Sequence, residues 1–352
     1  MQDKIISIGF FIIIMSVGLL SIVMKDIDIS FLERRKLTTV TTLQKDYLEN
    51  MDDYLIDQFP FRNNLLAINT FYERDILGNS EKNNVYVIDN YLIDKNYPLN
   101  NNKVDSFVSK INQLINNNFK NNKVFYTIIP DKGYFLNNSN DYLKIDYSLL
   151  LDKVKNIDAN YFDLISNLDL SDYYYTDIHI KQDSWLNLLP IFSNGLEFNY
   201  SEYKYQENSY YPFYGASYSK AMGSSPDELV YLTNDILENV SVKHLEYNYN
   251  SVYNREKLGS IDSYDVFLGG ASSLIEVVNN NCSNNKELII FRDSFASSLT
   301  PLLVPYYEKI TLVDLRYIDF KYLNNYIDIN DQDILFMYST LIINNSNILK
   351  IN

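Results

Sequence analysis

Short apolar runs recur along this chain, and polar, helix-like stretches separate them. Four of the runs lack the alternation of a half-exposed strand, so they predict strands buried on both faces: Val124 to Ile129, Leu288 to Phe291, Ile310 to Val313 and Ile334 to Tyr338. Between Val104 and Phe119, apolar residues recur every three or four positions, which predicts an amphipathic helix. Strands that alternate with helices in this way predict an α/β fold with a parallel sheet and helices on both faces.

Weaker segments continue the same alternation. Three further apolar runs predict strands: Val85 to Ile88, Tyr161 to Ile165 and Val266 to Leu268. A helix is predicted at Leu149 to Val154. The stretch from Phe198 to Tyr253 is rich in tyrosine and has patches of period two, so it predicts an antiparallel insertion at about residues 196–255. We expect this insertion to belong to one domain that spans residues 81–352.

The longest apolar stretch lies at the amino-terminal end of the sequence. Ile5 to Met24 contains no charged residue, which matches the roughly 20 residues that a helix needs to cross a bilayer. The stretch is longer than a typical signal-peptide core, and no A-x-A cleavage site follows it. Residues 1–25 therefore predict an uncleaved transmembrane signal anchor, and a cleaved signal peptide is the alternative. Basic residues flank both ends, so the positive-inside rule gives no clear orientation.

Residues 26–80 predict a helical, membrane-proximal stalk. Apolar residues recur at helical spacing on both sides of the segment Asp57 to Arg62. Pro60 in this segment suits the first turn of the second helix. Such a stalk needs only to hold the globular domain away from the membrane, a role that requires no chemistry.

Charge, cysteine and histidine content exclude several function classes. The formal net charge of −15 argues against nucleic acid, whose phosphates require basic patches, and against docking on anionic lipid. The single cysteine, Cys282, excludes an intramolecular disulfide and any cluster of thiolate ligands. The two histidines, His179 and His244, lack the spacing of a zinc motif. The sequence therefore predicts neither a metal site nor a cofactor.

Ser294 follows the predicted strand Leu288 to Phe291 almost directly. Open α/β sheets bind their ligands at the carboxyl edge of such strands. A serine at this edge can be exposed and can lie beside backbone N–H groups that stabilise an oxyanion, as a nucleophile requires. The alternative is that Ser294 or Asp293 only caps the helix that follows.

A base for such a serine is available at His179. Asp177 lies two residues earlier, so in an extended segment the two side chains would share one face. A carboxylate beside a histidine fixes the tautomer and stabilises the imidazolium that forms when the serine loses its proton. The alternative is a solvated pair at the end of a strand. His244, the other candidate base, lies among charged residues and is predicted to be a surface residue of the insertion.

Several motifs together resemble the DHHW proteins. TDIHI at 176–180 resembles the D-H-H-W box, and FRDSFASSLTPLLVPYYEKITLVDLRYID at 291–319 closely resembles the serine block of that family. Four shorter motifs fall in the expected order: ERRKL at 33–37, DQFPFR at 57–62, IIPDK at 128–132 and FLGGAS at 267–272. The resemblance covers almost the whole chain after the apolar stretch.

The resemblance implies membership of the alginate O-acetyltransferase-like branch of the SGNH hydrolases. It implies a flavodoxin-like α/β/α sandwich in which the Asp-x-His motif precedes the serine. Ser294 then matches the nucleophile, His179 the base and Asp177 the acid that orients it. The implied protein is a membrane-anchored, extracytoplasmic serine enzyme that transfers or removes O-acetyl groups on a polysaccharide. Relatives often act beside a membrane-bound O-acyltransferase that carries the acyl group across the membrane.

The chain departs from the family pattern at three positions. Ile178 and Ile180 replace the first histidine and the tryptophan of the box, and Ala271 stands where relatives tend to carry asparagine. These changes keep the acid and the base but alter packing or substrate contacts. A catalytically weak protein that binds glycan, or that serves as a scaffold for a partner acyltransferase, is therefore the alternative to an enzyme. A serine peptidase has no supporting motif beyond the three residues themselves.

Three more residues are predicted near the site. The bare backbone of Gly269 and Gly270 forms a turn that could approach the oxyanion, beside the N–H of the serine itself. Arg316 follows the next strand and is expected at the same edge of the sheet. It would hold an acidic or hydroxylated sugar, or it would pair with Asp314 or Asp319. The sequence leaves both interpretations open.

Overall fold

The computed structural model describes residues 2–30, 33–41, 47–137, 142–247 and 249–351. The α-helices whose bounds lie within these residues are α1 (Gln2–Val23), α2 (Tyr47–Asp57), α3 (Arg62–Phe71), α4 (Asn101–Asn118), α5 (Tyr147–Val154), α6 (Gln182–Leu196), α7 (Tyr218–Ala221), α8 (Asp235–Glu238), α9 (Ala296–Leu303) and α10 (Thr340–Ile343). The strands are β1 (Ile29–Ser30), β2 (Arg35–Lys36), β3 (Glu81–Lys82), β4 (Val85–Ile88), β5 (Tyr91–Asp94), β6 (Val124–Ile129), β7 (Asn160–Tyr161), β8 (Gln206–Phe213), β9 (Asp227–Thr233), β10 (Val240–His244), β11 (Leu274–Asn279), β12 (Glu287–Arg292), β13 (Lys309–Val313) and β14 (Asp333–Ser339).

Seven of these strands form the central sheet, in the order β10-β11-β13-β12-β14-β6-β7. Neighbouring strands from β13 to β7 run parallel. Strand β11 runs antiparallel to both of its neighbours, β10 and β13. The four strands predicted from continuous apolar runs are β6, β12, β13 and β14, so a mixed α/β fold with a largely parallel centre is confirmed.

The five parallel strands have a flavodoxin-like order when the count begins at β12. If β12, β13, β14, β6 and β7 are numbered 1 to 5, their order across the sheet is 2-1-3-4-5. Along the actual chain, β6 and β7 come first. The sheet is therefore a circularly permuted form of that order. The permutation also explains why the loop that follows β7 precedes the serine strand β12 in the sequence.

Apolar cores lie on both faces of this sheet. In β12, Leu288 and Ile290 pack in one core with α6 and α9. The alternate residues Ile289 and Phe291 pack in the other core with α4 and α5. Because both sides of the strand are covered, neither set of positions tolerates polar residues, and the strand carries an unbroken apolar run.

The run Val266 to Leu268 is buried but is not a strand, contrary to the sequence prediction. Its only ladder contact among the described residues is an isolated bridge between Phe267 and Tyr253. Gly269 and Gly270, both at positive φ, turn the chain directly after it. Apolar content alone did not distinguish a buried turn from a strand, because both need the same side chains.

Strand β7 ends at Tyr161, short of the predicted Ile165. The carboxylate of Asp163 accepts the N–H of Ile165 at 2.9 Å, and a 3₁₀ turn begins there. An aspartate that bonds to the backbone two residues on favours a turn over a ladder. The period-two pattern gave no sign of this turn.

The tyrosine-rich insertion contains the predicted antiparallel hairpin, formed by β8 and β9. Its last strand, β10, leaves the hairpin and pairs with β11 at the edge of the central sheet. The insertion is therefore continuous with the sheet rather than an appendage on its surface.

The amino-terminal helix α1 is apolar along nearly its whole length. Lys4–Val23 has a mean hydropathy of 2.6, and none of it is buried. By length and composition alone this helix can cross a membrane. The helices α2 and α3 follow, and Pro60 lies two residues before α3 rather than in its first turn.

Candidate active site

The three residues predicted to react lie in direct contact. His179 Nε2 is 2.7 Å from Ser294 Oγ, although the two residues are 115 positions apart in the chain. On the other side of the ring, His179 Nδ1 is 2.5 Å from Asp177 Oδ1. Asp177 and His179 are buried and Ser294 is half-buried, so the serine lies at the open end of the chain of contacts.

Ser294 begins the turn between β12 and α9. Its side chain contacts His179 and makes no hydrogen bond to the backbone of that turn. The neighbouring Asp293 holds the turn instead: its carboxylate accepts the N–H of Phe295 at 3.0 Å and of Ser339 at 2.8 Å. Helix α9 has no side-chain cap at its first residue. Of the two residues named as alternative caps, Asp293 bonds to the backbone of the turn and Ser294 does not.

Asp177 and His179 lie on a tight loop rather than on an extended segment. An isolated bridge between Tyr173 and Ile180 closes the loop, and the Tyr174 N–H donates to the His179 carbonyl at 3.2 Å. Within the loop, Asp177 Oδ1 also accepts the backbone N–H of His179 at 3.0 Å. The acid and the base meet because of this turn, and not because of strand alternation.

Residues of the insertion support that loop from outside. The Ala216 N–H donates to Asp177 Oδ2 at 2.7 Å. Asp227 accepts the N–H groups of Tyr175 and Thr176 at 2.6 and 2.8 Å. A Cβ atom on Gly215 would lie 2.2 Å from the Cβ of Asp177, so only glycine fits this position without displacing the acid.

Two aromatic rings fix the plane of the imidazole. Tyr264 stacks on His179 with 3.8 Å between ring centroids and an interplanar angle of 5°, and Phe295 packs at 4.9 Å. The Tyr264 hydroxyl donates to Ser298 Oγ at 3.0 Å, which holds that ring in turn. The histidine therefore has little freedom to rotate away from Ser294.

The environment of Asp177 favours its charged form. Burial raises the pKa of Asp177, but the charge of the facing His179 and the hydrogen bonds from His179 and Ala216 lower it further, so its net pKa lies well below the usual range. A carboxylate at Nδ1 requires the proton on that nitrogen when the ring is neutral. Nε2 is then the acceptor for the Ser294 hydroxyl.

Ser294 and His179 line a cavity of about 170 Å³. Arg316 also lines it, but its Nε and Nη2 contact the two carboxylate oxygens of Asp314 at 2.9 and 2.6 Å. The structure therefore contains the predicted salt bridge with Asp314, at the predicted edge of the sheet. Among the described residues, no group of three or more His, Cys, Asp and Glu side chains is arranged to hold a metal ion.

The glycine turn contributes one of its two residues to the cavity wall. Gly270 lines the cavity, whereas Gly269 lies behind it and its carbonyl accepts the Tyr247 hydroxyl at 3.2 Å. The Gly270 N–H points toward the Phe267 carbonyl at 3.4 Å. No acceptor among the described residues takes the backbone N–H of Ser294.

The two departures from the box are packing positions. Ile180 is 1% exposed and belongs to the core on one face of the sheet, and Ile178 is partly buried against that core. Ala271 is exposed and lines the cavity. Both isoleucines therefore contribute to packing, and neither lines the cavity around Ser294.

His244 is buried, contrary to the surface position predicted for it. It lies at the end of β10, where its ring stacks on Tyr247 with 4.4 Å between centroids. Burial lowers the pKa of His244 to about 4. The prediction was wrong because Lys243 occupies an exposed position of the edge strand β10, whereas the next residue, His244, faces the buried side.

Several residues that shape the site could not be predicted from the sequence. Gly215, Asp227 and Tyr264 act through contacts with the loop or the ring, which no motif records. Arg34 and Arg292 also line the cavity, and they lie within two of the motifs that resemble the family. The motifs singled out those two segments but did not indicate that the segments meet.

No family model and no curated protein sequence matches this chain. Solved structures match its fold. A DHHW family protein from Eubacterium siraeum has a TM-score of 0.62 at 18% identity, over 76% of this chain and 94% of that one. The structure of Bacillus cereus PatB1 with a sulfonyl adduct has a TM-score of 0.60 at 18% identity, over 75% of this chain and 96% of that one. A further structure of Bacillus cereus PatB1 has a TM-score of 0.59 at 17% identity, over 75% of this chain and 97% of that one. The chain therefore shares its fold with a DHHW family protein and with PatB1, and at the level of the fold the resemblance in its motifs is confirmed.

Proposed function

We propose that this protein is a serine-dependent O-acetyltransferase or acetylesterase that acts on a cell-surface or secreted polysaccharide. The observation that carries the proposal is the contact of His179 Nε2 with Ser294 Oγ at 2.7 Å, made while Asp177 holds the opposite ring nitrogen. The fold shared with a DHHW family protein and PatB1 supports the same chemistry.

In the first step, Ser294 Oγ attacks the carbonyl carbon of an acetyl donor, and His179 Nε2 takes the hydroxyl proton. The tetrahedral intermediate collapses when the bond to the donor oxygen breaks, and that oxygen leaves with the proton from His179. The product is an acetyl ester on Ser294. The buried carboxylate of Asp177 stabilises the imidazolium between the two proton transfers.

In the second step, a sugar hydroxyl or water attacks the acetyl-serine. His179 takes the proton of the attacking hydroxyl and returns it to Ser294 Oγ as the ester bond breaks. The N–H of Ser294 stabilises the oxyanion, a contact that commonly contributes about 3 kcal/mol. In this proposal the Gly269–Gly270 turn supplies the neighbouring wall, and Arg316 offers a sugar oxygen its Nη1, which makes no hydrogen bond to any described residue.

We further propose that α1 anchors the protein in the cell membrane with a single pass and that residues 26–80 form the membrane-proximal stalk. Residues 81–352 then form an SGNH hydrolase-like α/β/α domain on the extracytoplasmic side. The apolar, unburied length of α1 supports the anchor. A membrane-bound O-acyltransferase is the proposed partner that supplies the acyl group.

The test is hydrolysis of 4-nitrophenyl acetate by the detergent-solubilised protein, compared with Ser294→Ala and His179→Ala. We expect both variants to lose nearly all activity, and we expect an arylsulfonyl fluoride to label Ser294, located by peptide mass spectrometry. If the wild type were as inert as both variants and no label reached Ser294, the protein would instead be a glycan-binding scaffold.

A further inference from the structure

Two ion pairs join the motif at 33–37 to the motif at 57–62. Arg62 Nη2 donates to Glu33 Oε1 at 2.8 Å, and Arg35 Nη1 donates to Asp57 Oδ2 at 3.0 Å. Asp57 is 5% exposed, whereas the side chain of Arg35 is 42% exposed, so only the aspartate side of this contact is shielded from solvent. Both neighbours of Arg34 are therefore held by the end of α2 and the start of α3, while Arg34 itself has a different partner.

Arg34 points into the cavity that contains Ser294 and His179. Its Nη2 contacts the carboxylate of Asp262, which lies just before Tyr264 in the chain and also lines the cavity. The Nη1 atom is buried and has no hydrogen-bond partner among the described residues. A buried guanidinium nitrogen without a partner is unfavourable unless a ligand supplies an acceptor oxygen.

The backbone at Arg34 adds an independent observation. Arg34 has φ 54°, in the left-handed region that non-glycine residues rarely adopt. The ion pairs on either side of it hold the chain in that conformation. Strained backbone that its surroundings enforce is typical of residues that a site needs in one orientation.

Arg34 and His179 line the same cavity. The positive charge of Arg34 lowers the pKa of Asp177 and also acts on Asp262 and Asp265. An incoming hydroxyl must reach His179 Nε2 to lose its proton, so the acceptor enters the cavity that Arg34 lines. The free Nη1 of Arg34 is then available to a glycan oxygen in that cavity.

We propose that Arg34 is an acceptor-binding residue of this site, whose Nη1 donates to an oxygen of the glycan while Asp262 holds Nη2. This inference rests on the proposed function. It makes the short segment after the apolar helix a wall of the active site. The domain at residues 81–352 would then be incomplete without the membrane-proximal part of the chain.

The test measures acceptor binding without catalysis. Chitopentaose, cellopentaose and penta-galacturonate are titrated into the full-length Ser294→Ala protein in detergent, with and without Arg34→Gln. For any oligosaccharide that binds, we expect Arg34→Gln to raise the Kd by about tenfold or more, as for loss of a hydrogen bond from a charged donor. Arg34→Lys should recover part of the affinity. Lys36→Gln, at an exposed position of β2 two residues after Arg34, should leave the Kd unchanged.

Asp262→Asn provides a second probe of the same contact. Because Asp262 holds Arg34, the double variant Arg34→Gln/Asp262→Asn should lose little more affinity than Arg34→Gln alone. In hydrolysis of 4-nitrophenyl acetate by the Ser294-containing protein, where water is the acceptor, Arg34→Gln should lower the rate by a smaller factor than it lowers glycan affinity.

Three results would overturn the inference. They are an equal Kd with and without Arg34→Gln, binding of none of the three oligosaccharides, and equal losses of hydrolysis and binding accompanied by a lowered Tm. Failure of the proposed function has a different signature. In that case the wild type would hydrolyse no ester and Ser294 would resist labelling, while glycan binding that depends on Arg34 persisted.

Discussion

The imidazole of His179 is fixed from three directions, and only one nitrogen remains for chemistry. Asp177 holds Nδ1, Tyr264 covers one face and Phe295 packs against the ring at an angle. None of these three side chains needs to react. Their common effect is to keep Nε2 beside Ser294 in the tautomer that accepts a proton.

Replacing Asp177 with asparagine tests this arrangement directly. Asp177→Asn keeps the size of the side chain but removes the charge that stabilises the imidazolium and fixes the tautomer. We expect kcat for 4-nitrophenyl acetate to fall by about 10³-fold or more, with Tm within a few degrees of the wild type. A loss of less than tenfold in a folded variant would mean that the carboxylate is not part of the reaction.

Gly215 is a residue whose importance is purely steric. In Gly215→Ala the new Cβ would lie 2.2 Å from the Asp177 Cβ, so the Asp177 loop must shift. Overpacking of this kind typically destabilises by about 1–3 kcal/mol, and we expect activity to fall together with the free energy of unfolding. Urea unfolding and ester hydrolysis measure the two effects. Ala216→Gly is the control, since it keeps the N–H that donates to Asp177; wild-type behaviour of Gly215→Ala would contradict the predicted shift.

His244 makes stability depend on pH. Burial lowers its pKa to about 4, against an ordinary value near 6.5, so between these pH values the unfolded chain binds more protons than the folded one. The free energy of unfolding should therefore fall as pH drops from 6.5 to 4, by up to about 3 kcal/mol from this group. We expect His244→Leu to flatten that slope in urea titrations at pH 7, 5 and 4. Equal slopes in both proteins would show that His244 is not the group responsible.

At the scale of elements, the strands of the central sheet that could be predicted best are those buried on both faces. The predicted strand Val85 to Ile88 is also present, as β4, in a separate three-stranded sheet. β6, β12, β13 and β14 are unbroken apolar runs because a core lies on each side of them. Strand β11 was missed, since its partly exposed Glu276 pairs with Lys309 and breaks the apolar run. The loop of Asp177 was missed as a loop because a side chain that bonds to its own backbone leaves no periodic signal.

The hairpin of β8 and β9 has a role that its composition did not suggest. Asp227, the first residue of β9, accepts hydrogen bonds from Tyr175 N–H and from the N–H and hydroxyl of Thr176. These bonds hold the segment directly before Asp177. The insertion therefore supports the loop that carries the acid Asp177 and the base His179.

Removal of that support is a test at this scale. Asp227→Ala leaves buried N–H groups without acceptors, which costs about 1–3 kcal/mol for each group. We expect a lower free energy of unfolding and a loss of ester hydrolysis, because the loop no longer presents Asp177 to His179. Glu228→Ala, at the exposed neighbouring position, serves as the matched control in both assays. If the two variants behaved alike, the hairpin would not be supporting the site.

At the scale of the whole molecule, the two halves of the site follow two strands that are not neighbours in the sheet. Ser294 follows the central strand β12, and the loop with Asp177 and His179 comes after the edge strand β7. Apolar runs predicted that the strands are parallel, but they carry no information on which strand lies beside which. In the spatial order β13-β12-β14-β6-β7, two strands lie between β12 and β7, so the chain after β7 must return across the sheet to bring Asp177 and His179 to Ser294. The sequence therefore predicted the members of the site one by one, while their contact depended on tertiary structure.

The anchor can be tested on the whole chain. We expect the full-length protein to stay in the membrane fraction after a carbonate wash, because α1 is unburied and apolar. A protein without residues 2–23 should appear in the soluble fraction and keep its ester hydrolysis, since α1 does not line the cavity around Ser294. Release of the full-length chain by carbonate would contradict a spanning helix.

The position of Arg34 sets a limit on distance. Arg34 lies eleven positions after Val23, the end of α1, and an extended chain spans at most about 3.6 Å per residue. With α1 in the bilayer as proposed, the pocket lies within about 40 Å of the membrane surface, whatever shape the stalk takes. Under that proposal, the enzyme would act only on glycan that comes within this distance of the membrane.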